Sequence, residues 1–178
     1  GCTVCHDGQG SATSFHNAQH GPNHPADYKK WNDLYGSFPN HHWQFPMQPR
    51  RLRESTCLKC HHQVAELGIN PDHGPTAPKL YKGWQLVQKF GCFGCHEIEG
   101  FEDAQKIGVD LSTWGSKLVT RLDFGYIDIP HTRQEWLENK INHPRSYDRG
   151  KVKGAPEKLR MGYFGFTEDE VQAIATKV

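Results

Sequence analysis

Cys92-Phe93-Gly94-Cys95-His96 is the stretch on which the reading of this chain turns. Its pattern occurs twice more, as Cys2-Thr3-Val4-Cys5-His6 and Cys57-Leu58-Lys59-Cys60-His61. The chain has six cysteines, and these three motifs use all of them. On a helical turn, residues at i, i+3 and i+4 share a face, so each motif presents two thiols and one imidazole on one side. Two C-x-x-C pairs would suit zinc, but zinc does not require a histidine directly after every pair. Structural disulfides would not impose one spacing on every cysteine. A thioredoxin-like motif would occur once, within a βαβ pattern that is absent here.

The arrangement is the attachment signature of c-type haem. Two thiols three residues apart reach the two vinyl groups of one porphyrin and form thioethers, and the following imidazole meets the iron from the attached side. The expectation is three covalent c-type haems. They are held by Cys2 and Cys5, Cys57 and Cys60, and Cys92 and Cys95, with His6, His61 and His96 as proximal ligands of haems 1, 2 and 3. The composition fits. Only 35% of the 178 residues are apolar, and three macrocycles would supply much of the surface that side chains pack against. No run of 18 apolar residues occurs, so no membrane span is expected. A net charge of +1 argues against a phosphate-neutralising nucleic-acid binder.

Covalent haem attachment is a process completed outside the cytoplasm, so the expected location is extracytoplasmic: the periplasm, an equivalent compartment or the cell surface. No leader peptide is visible, as expected if one is removed or lies outside this sequence. The chain begins one residue before a haem motif and stops within an amphipathic pattern, as expected of a fragment or subunit of a larger assembly.

The expected fold class is mostly α with much irregular structure, in two modules. Residues 1–78 form a haem-organised dihaem module. They hold nine of the twelve histidines and little periodicity. A short helix is expected from Pro25 to Tyr35, closed by Gly36. A second, from Arg51 to Leu67, would carry the middle motif, and Gly68–Pro78 reads as a linker. Residues 79–178 form a helical monohaem domain. Leu80, Trp84, Val87 and Phe90 make one amphipathic helix ended by Gly91. Thr132 and Glu135 form a capping box before a helix stopped by Pro144, and Thr167 and Glu170 form another before Val171, Ile174, Ala175 and Val178.

This order resembles class I cytochrome c over roughly residues 79–178. The resemblance rests on a helix running into Cys92-Phe93-Gly94-Cys95-His96, then Ile107-Gly108-Val109-Asp110-Leu111, then Glu135-Trp136-Leu137-Glu138-Asn139, and finally Leu159-Arg160-Met161-Gly162-Tyr163-Phe164 before the last helix. It implies that Met161 is the second axial ligand of haem 3. The family's prolines after the loop glycine and after the methionine are Val109 and Gly162 here. Independently of the resemblance, Met161 sits in a Gly-rich loop before a capped helix; the bland alternative is a core gap-filler.

Nine histidines remain for the distal positions of haems 1 and 2. Adjacent residues on a helix point about 100° apart, so His62 cannot share an iron with His61; it is a candidate ligand of a neighbouring haem, the alternative being a histidine bonded to a propionate or to solvent. His42, of the His41-His42 pair, and His20, on a loop after the first motif, are the other candidates. His16, His24 and His73 read as surface residues, His131 as capping or packing, and His143 as a helix end. Arg50, Arg51 and Arg53 would pair with haem propionates, a docking partner or solvent. The five tryptophans would pack against porphyrin.

The function these features favour is single-electron transfer between redox protein partners or other subunits. Six-coordinate haems leave no open site, and His/Met ligation of haem 3 beside bis-His haems 1 and 2 would create a step in potential. The alternative is a multihaem enzyme with one open-site haem, a peroxidase or small-oxyanion reductase, for which no distal catalytic constellation is recognisable.

Overall fold

The computed structural model describes residues 21–22, 24–36, 53–61, 63–102 and 107–178. About half of these are helical, and strand is confined to one short pair. The chain divides into two compact units, Gly1–Pro78 and Lys79–Val178.

In the first unit, a 3₁₀ turn at Pro25–Asp27 opens into helix α1 (Tyr28–Tyr35). Pro25 is preorganised for the first helical position, and His24 Nδ1 accepts the Ala26 N–H at 3.3 Å. Gly36, at φ +82°, ends the helix, its N–H donating to Asn32 O. The continuous helix expected over Arg51–Leu67 does not form. Within its described part, two 3₁₀ turns stand instead, Glu54–Lys59 and Val64–Leu67. The break is a backbone one: Cys60 leaves helical geometry and Gln63 is extended (φ −128°, ψ 140°). The Gln63 N–H is then taken by Glu66 Oε2 at 3.3 Å.

The stretch Gly68–Pro78, read from the sequence as a linker, contains a short hairpin. Strand β1 (Ile69–Asn70) pairs antiparallel with β2 (Gly74–Pro75), Ile69 opposite Pro75 and Asn70 opposite Gly74. Gly68 (φ +72°) closes the Val64–Leu67 turn before β1, and Gly74 (φ +76°) opens β2 after the Pro71–His73 turn that reverses the chain. Among the described residues of this unit, Val64 and Ala77 are the buried hydrophobic side chains, joined by Gly21 and Pro22.

The second unit is built on α2 (Pro78–Lys89), α3 (Arg133–Asn142) and α4 (Glu168–Lys177), joined by short 3₁₀ turns. α2 ends where Gly91 turns left-handed at φ +64°. α3 starts at Thr132, whose Oγ1 accepts the Glu135 N–H at 3.2 Å. α4 starts with a full capping box between Thr167 and Glu170. Three acidic residues in its first turn, Glu168, Asp169 and Glu170, complement the helix dipole.

The helices enclose one core, with Leu86 and Val87 from α2, Leu137 and Ile141 from α3, and Val171 and Ile174 from α4, closed by Ile98, Trp114, Leu122 and Phe124. Each large aliphatic buried there contributes about 1.5–3 kcal/mol over exposure. α2 and α4 touch at backbone distance. A Cβ on Gly83 would lie 2.1 Å from Ala173 O, so only glycine permits this approach. Lys82 pairs with Asp169, and Lys79 Nζ donates to Gln172 Oε1 at 3.2 Å across the same contact.

Candidate haem-attachment sites

The middle and last motifs adopt the same local conformation although they belong to different units. In each, a 3₁₀ turn ends at the second cysteine, with Cys60 at φ −120°, ψ −32° and Cys95 at φ −118°, ψ −35°. The Cys60 and Cys95 N–H groups donate to Cys57 O and Cys92 O at 3.2 and 3.1 Å, and those of His61 and His96 to the same carbonyls, each at 2.9 Å. One tight backbone turn thus carries two cysteines and a histidine in each motif. No disulfide joins Cys57, Cys60, Cys92 or Cys95. Burial pushes the Cys92 thiol above its ordinary value, and Cys95 beside it adds to the shift.

His96 carries the most informative contact. Its Nδ1 lies 2.8 Å from Val109 O. A carbonyl only accepts, so Nδ1 holds the proton and Nε2 keeps its lone pair for a ligand bond. The loop that supplies Val109 is laid against the motif. The Ile107 and Gly108 N–H groups both donate to Cys95 O, at 3.1 and 2.5 Å, and the Leu111 N–H to Glu97 O at 2.8 Å. Gly108 is obligatory here: a Cβ would stand 2.8 Å from Cys95 O and 2.9 Å from His96 Cε1 and Nδ1.

Met161 is half-buried on a segment without regular structure between Lys158 and α4. Downstream of it, Phe164 and Phe166 pack edge-on against Phe90, with centroids 5.8 and 4.7 Å apart. Phe90 lies two residues before Cys92, so this segment ends beside the third motif.

In the first unit, Arg53 Nε is buried with no hydrogen-bond partner, four residues before Cys57. An orphaned buried donor calls for an acceptor that the described residues do not supply, and a haem propionate has that chemistry. A c-type haem would suit the two cysteines of each motif, the oriented His96 ring and the Arg53 Nε.

Cys2, Cys5, His6, His20, His42 and His62 lie outside the described residues, as do His16, His41, Arg50 and Arg51. His24 and His73, read from the sequence as separate surface residues, stack face to face with centroids 3.6 Å apart. Both are exposed. Their separation by 49 positions left no local signal of this pairing. His131 stacks on Phe124 at 4.2 Å, a packing role, and His143 caps the end of α3. Trp114 and Trp136 stack on each other at 5.2 Å and Trp136 packs on Tyr147 at 5.1 Å, so both belong to an aromatic cluster of side chains. Among the described residues, no three His, Cys, Asp or Glu side chains converge on one point. None of the helices of the described residues is long and apolar enough to cross a membrane. No protein-family model matches the chain, nor does any curated protein or solved structure.

Proposed function

We propose that this chain is a trihaem c-type cytochrome that passes single electrons between redox partners, as a subunit or fragment of a larger extracytoplasmic electron-transfer assembly. The observation that carries the reading is His96, whose Nδ1 is tied to Val109 O so that Nε2 is left to bind iron. A bound haem supplies a one-electron iron couple that side chains lack. The polypeptide's part is to attach, orient and enclose it. Cys92 and Cys95 attach haem 3, the Gly108 loop fixes the His96 ring, and Met161 takes the sixth position. Cys57, Cys60 and His61 repeat the attachment for haem 2, with Arg53 toward a propionate. Cys2, Cys5 and His6 repeat it for haem 1, and the distal ligands of haems 1 and 2 come from His62, His42 and His20.

Carbon monoxide added to the fully reduced protein tests the relay reading. Slow or absent binding at every haem is expected of closed six-coordinate irons. Rapid binding at one haem at native pH would overturn it and move the open-site enzyme reading to the front.

A further inference from the structure

The segment from Lys158 to Phe166 is held in an unusual way. Among the described residues it makes no backbone–backbone hydrogen bond. Its one hydrogen bond runs from the Leu159 N–H to Asp148 Oδ2, at 2.9 Å. Leu159 stands two residues before Met161.

Asp148 is a firm anchor. It ends the 3₁₀ turn Pro144–Asp148, which is fastened to α3 on three sides. Tyr147 is buried and donates its hydroxyl to Trp136 O at 2.9 Å. Asn139 Nδ2 donates to Ser146 Oγ at 3.2 Å, and Lys140 Nζ reaches Pro144 O at 3.4 Å. The other carboxylate oxygen, Oδ1, accepts Lys153 Nζ at 2.8 Å. One carboxylate therefore closes the loop between positions 148 and 159 and grips it midway at Lys153. Beyond Met161, Phe164 and Phe166 clamp the chain on Phe90. Met161 is thus suspended between an aromatic clamp and a single carboxylate bond.

We propose that Asp148 is a positioning residue that holds Met161 over haem 3 by tethering Leu159 to α3. This rests on the reading of Met161 as the sixth ligand. Closing the loop ahead of time limits the conformations in which the thioether drifts away from the iron. The bond is the kind that matters, because a carboxylate accepting a backbone N–H is charge-assisted.

The test uses the full haem-loaded chain and three readouts: the far-red thioether-to-iron charge-transfer band of oxidised haem 3, its reduction potential, and carbon monoxide binding after reduction. Asp148→Ala is expected to weaken the band, lower the potential and speed carbon monoxide binding at haem 3 about tenfold. Asp148→Asn, which keeps an acceptor for the Leu159 N–H, should restore most of the band, and Lys153→Met should leave it in place. Denaturant unfolding of the helical core separates this from general destabilisation. A band unchanged in Asp148→Ala, while Met161→Ala loses it, overturns the tether alone. A wild-type protein without the band removes Met161 as ligand and the tether with it. Amide hydrogen exchange in the wild-type protein bears on the same point without any substitution. The Leu159 amide is expected to exchange far more slowly than those of Gly162 and Tyr163, and equal rates would overturn the proposal.

Discussion

The two units hold the same C-x-x-C-H turn with different means of support. In the second, the turn rests on a side-chain core, with α2 and α4 at backbone contact and Ile98 buried two residues after His96. In the first, the described chain around Cys57–His61 offers Val64 and Ala77 as its buried hydrophobic side chains, and Arg53 Nε is buried without a partner. Equal local geometry on unequal foundations implies that the turn is specified by its own few residues. What lies beyond it must come from side chains in one unit and, on the proposed reading, from haem in the other.

Removing the second attachment site should divide the units most sharply. In a Cys57→Ser, Cys60→Ser chain, hydrogen exchange over residues 53–78 is expected to approach unprotected rates while residues 79–178 keep their protection. Unchanged protection in the first unit would mean that its side chains suffice. Core truncation gives the reverse contrast. Leu137→Ala should cost about 2–5 kcal/mol in denaturant unfolding of the second unit. Val64→Ala, losing two methyl-sized groups, should cost about 1.5 kcal/mol in the first. Equal losses would erase the difference between the foundations.

Gly108→Ala sharpens the comparison at the turn itself. Its Cβ would stand 2.9 Å from the His96 ring, and the displacement should cost about 1–3 kcal/mol. It should also change the visible spectrum of haem 3 while leaving those of haems 1 and 2 alone.

The helices of the second unit are readable from sequence because apolar residues recur at helical spacing between physical boundaries: the stops at Gly91 and Pro144 and the starting caps at Thr132 and Thr167. The C-x-x-C-H turns are readable because their chemistry demands fixed spacing. The turns at Glu54–Lys59 and Val64–Leu67 are not, since the break at Gln63 is made by a backbone angle and one carboxylate bond. Gly68–Pro78 reads as a linker because glycine and proline punctuate it, yet Ile69 to Pro75 make a short hairpin within it. The Asp148–Leu159 bond and the His24–His73 stack join residues of no shared element, where no periodicity announces a partner.

The smallest expected effect is electrostatic. Asp123, Asp148 and Asp169 sit below the ordinary aspartate value of 3.8, held down first by hydrogen bonds from Lys151, Lys153 and Lys82. Glu170 sits below 4.5 through the Thr167 amide. Their lowered values mean that the unfolded chain binds more protons in that range, so their contribution is complete above the ordinary values and is lost as pH falls through the lowered ones. Burial lowers Lys177 from 10.5. There too the unfolded chain holds more protons between the two values, and stability rises with pH across that window. Denaturant midpoints of the second unit should therefore fall modestly between pH 5 and pH 3, and less so at high salt because Asp123 and Asp169 are largely exposed. No change at low salt would show that these pairs contribute nothing.

The most direct test of the account is the intact mass of the chain under denaturing conditions, read together with its alkaline pyridine haemochrome spectrum. The account predicts the polypeptide mass plus three haems that survive unfolding, with the spectrum of haem bound through two thioethers. A bare polypeptide from cells competent in haem attachment, or haem that leaves on unfolding, would contradict it.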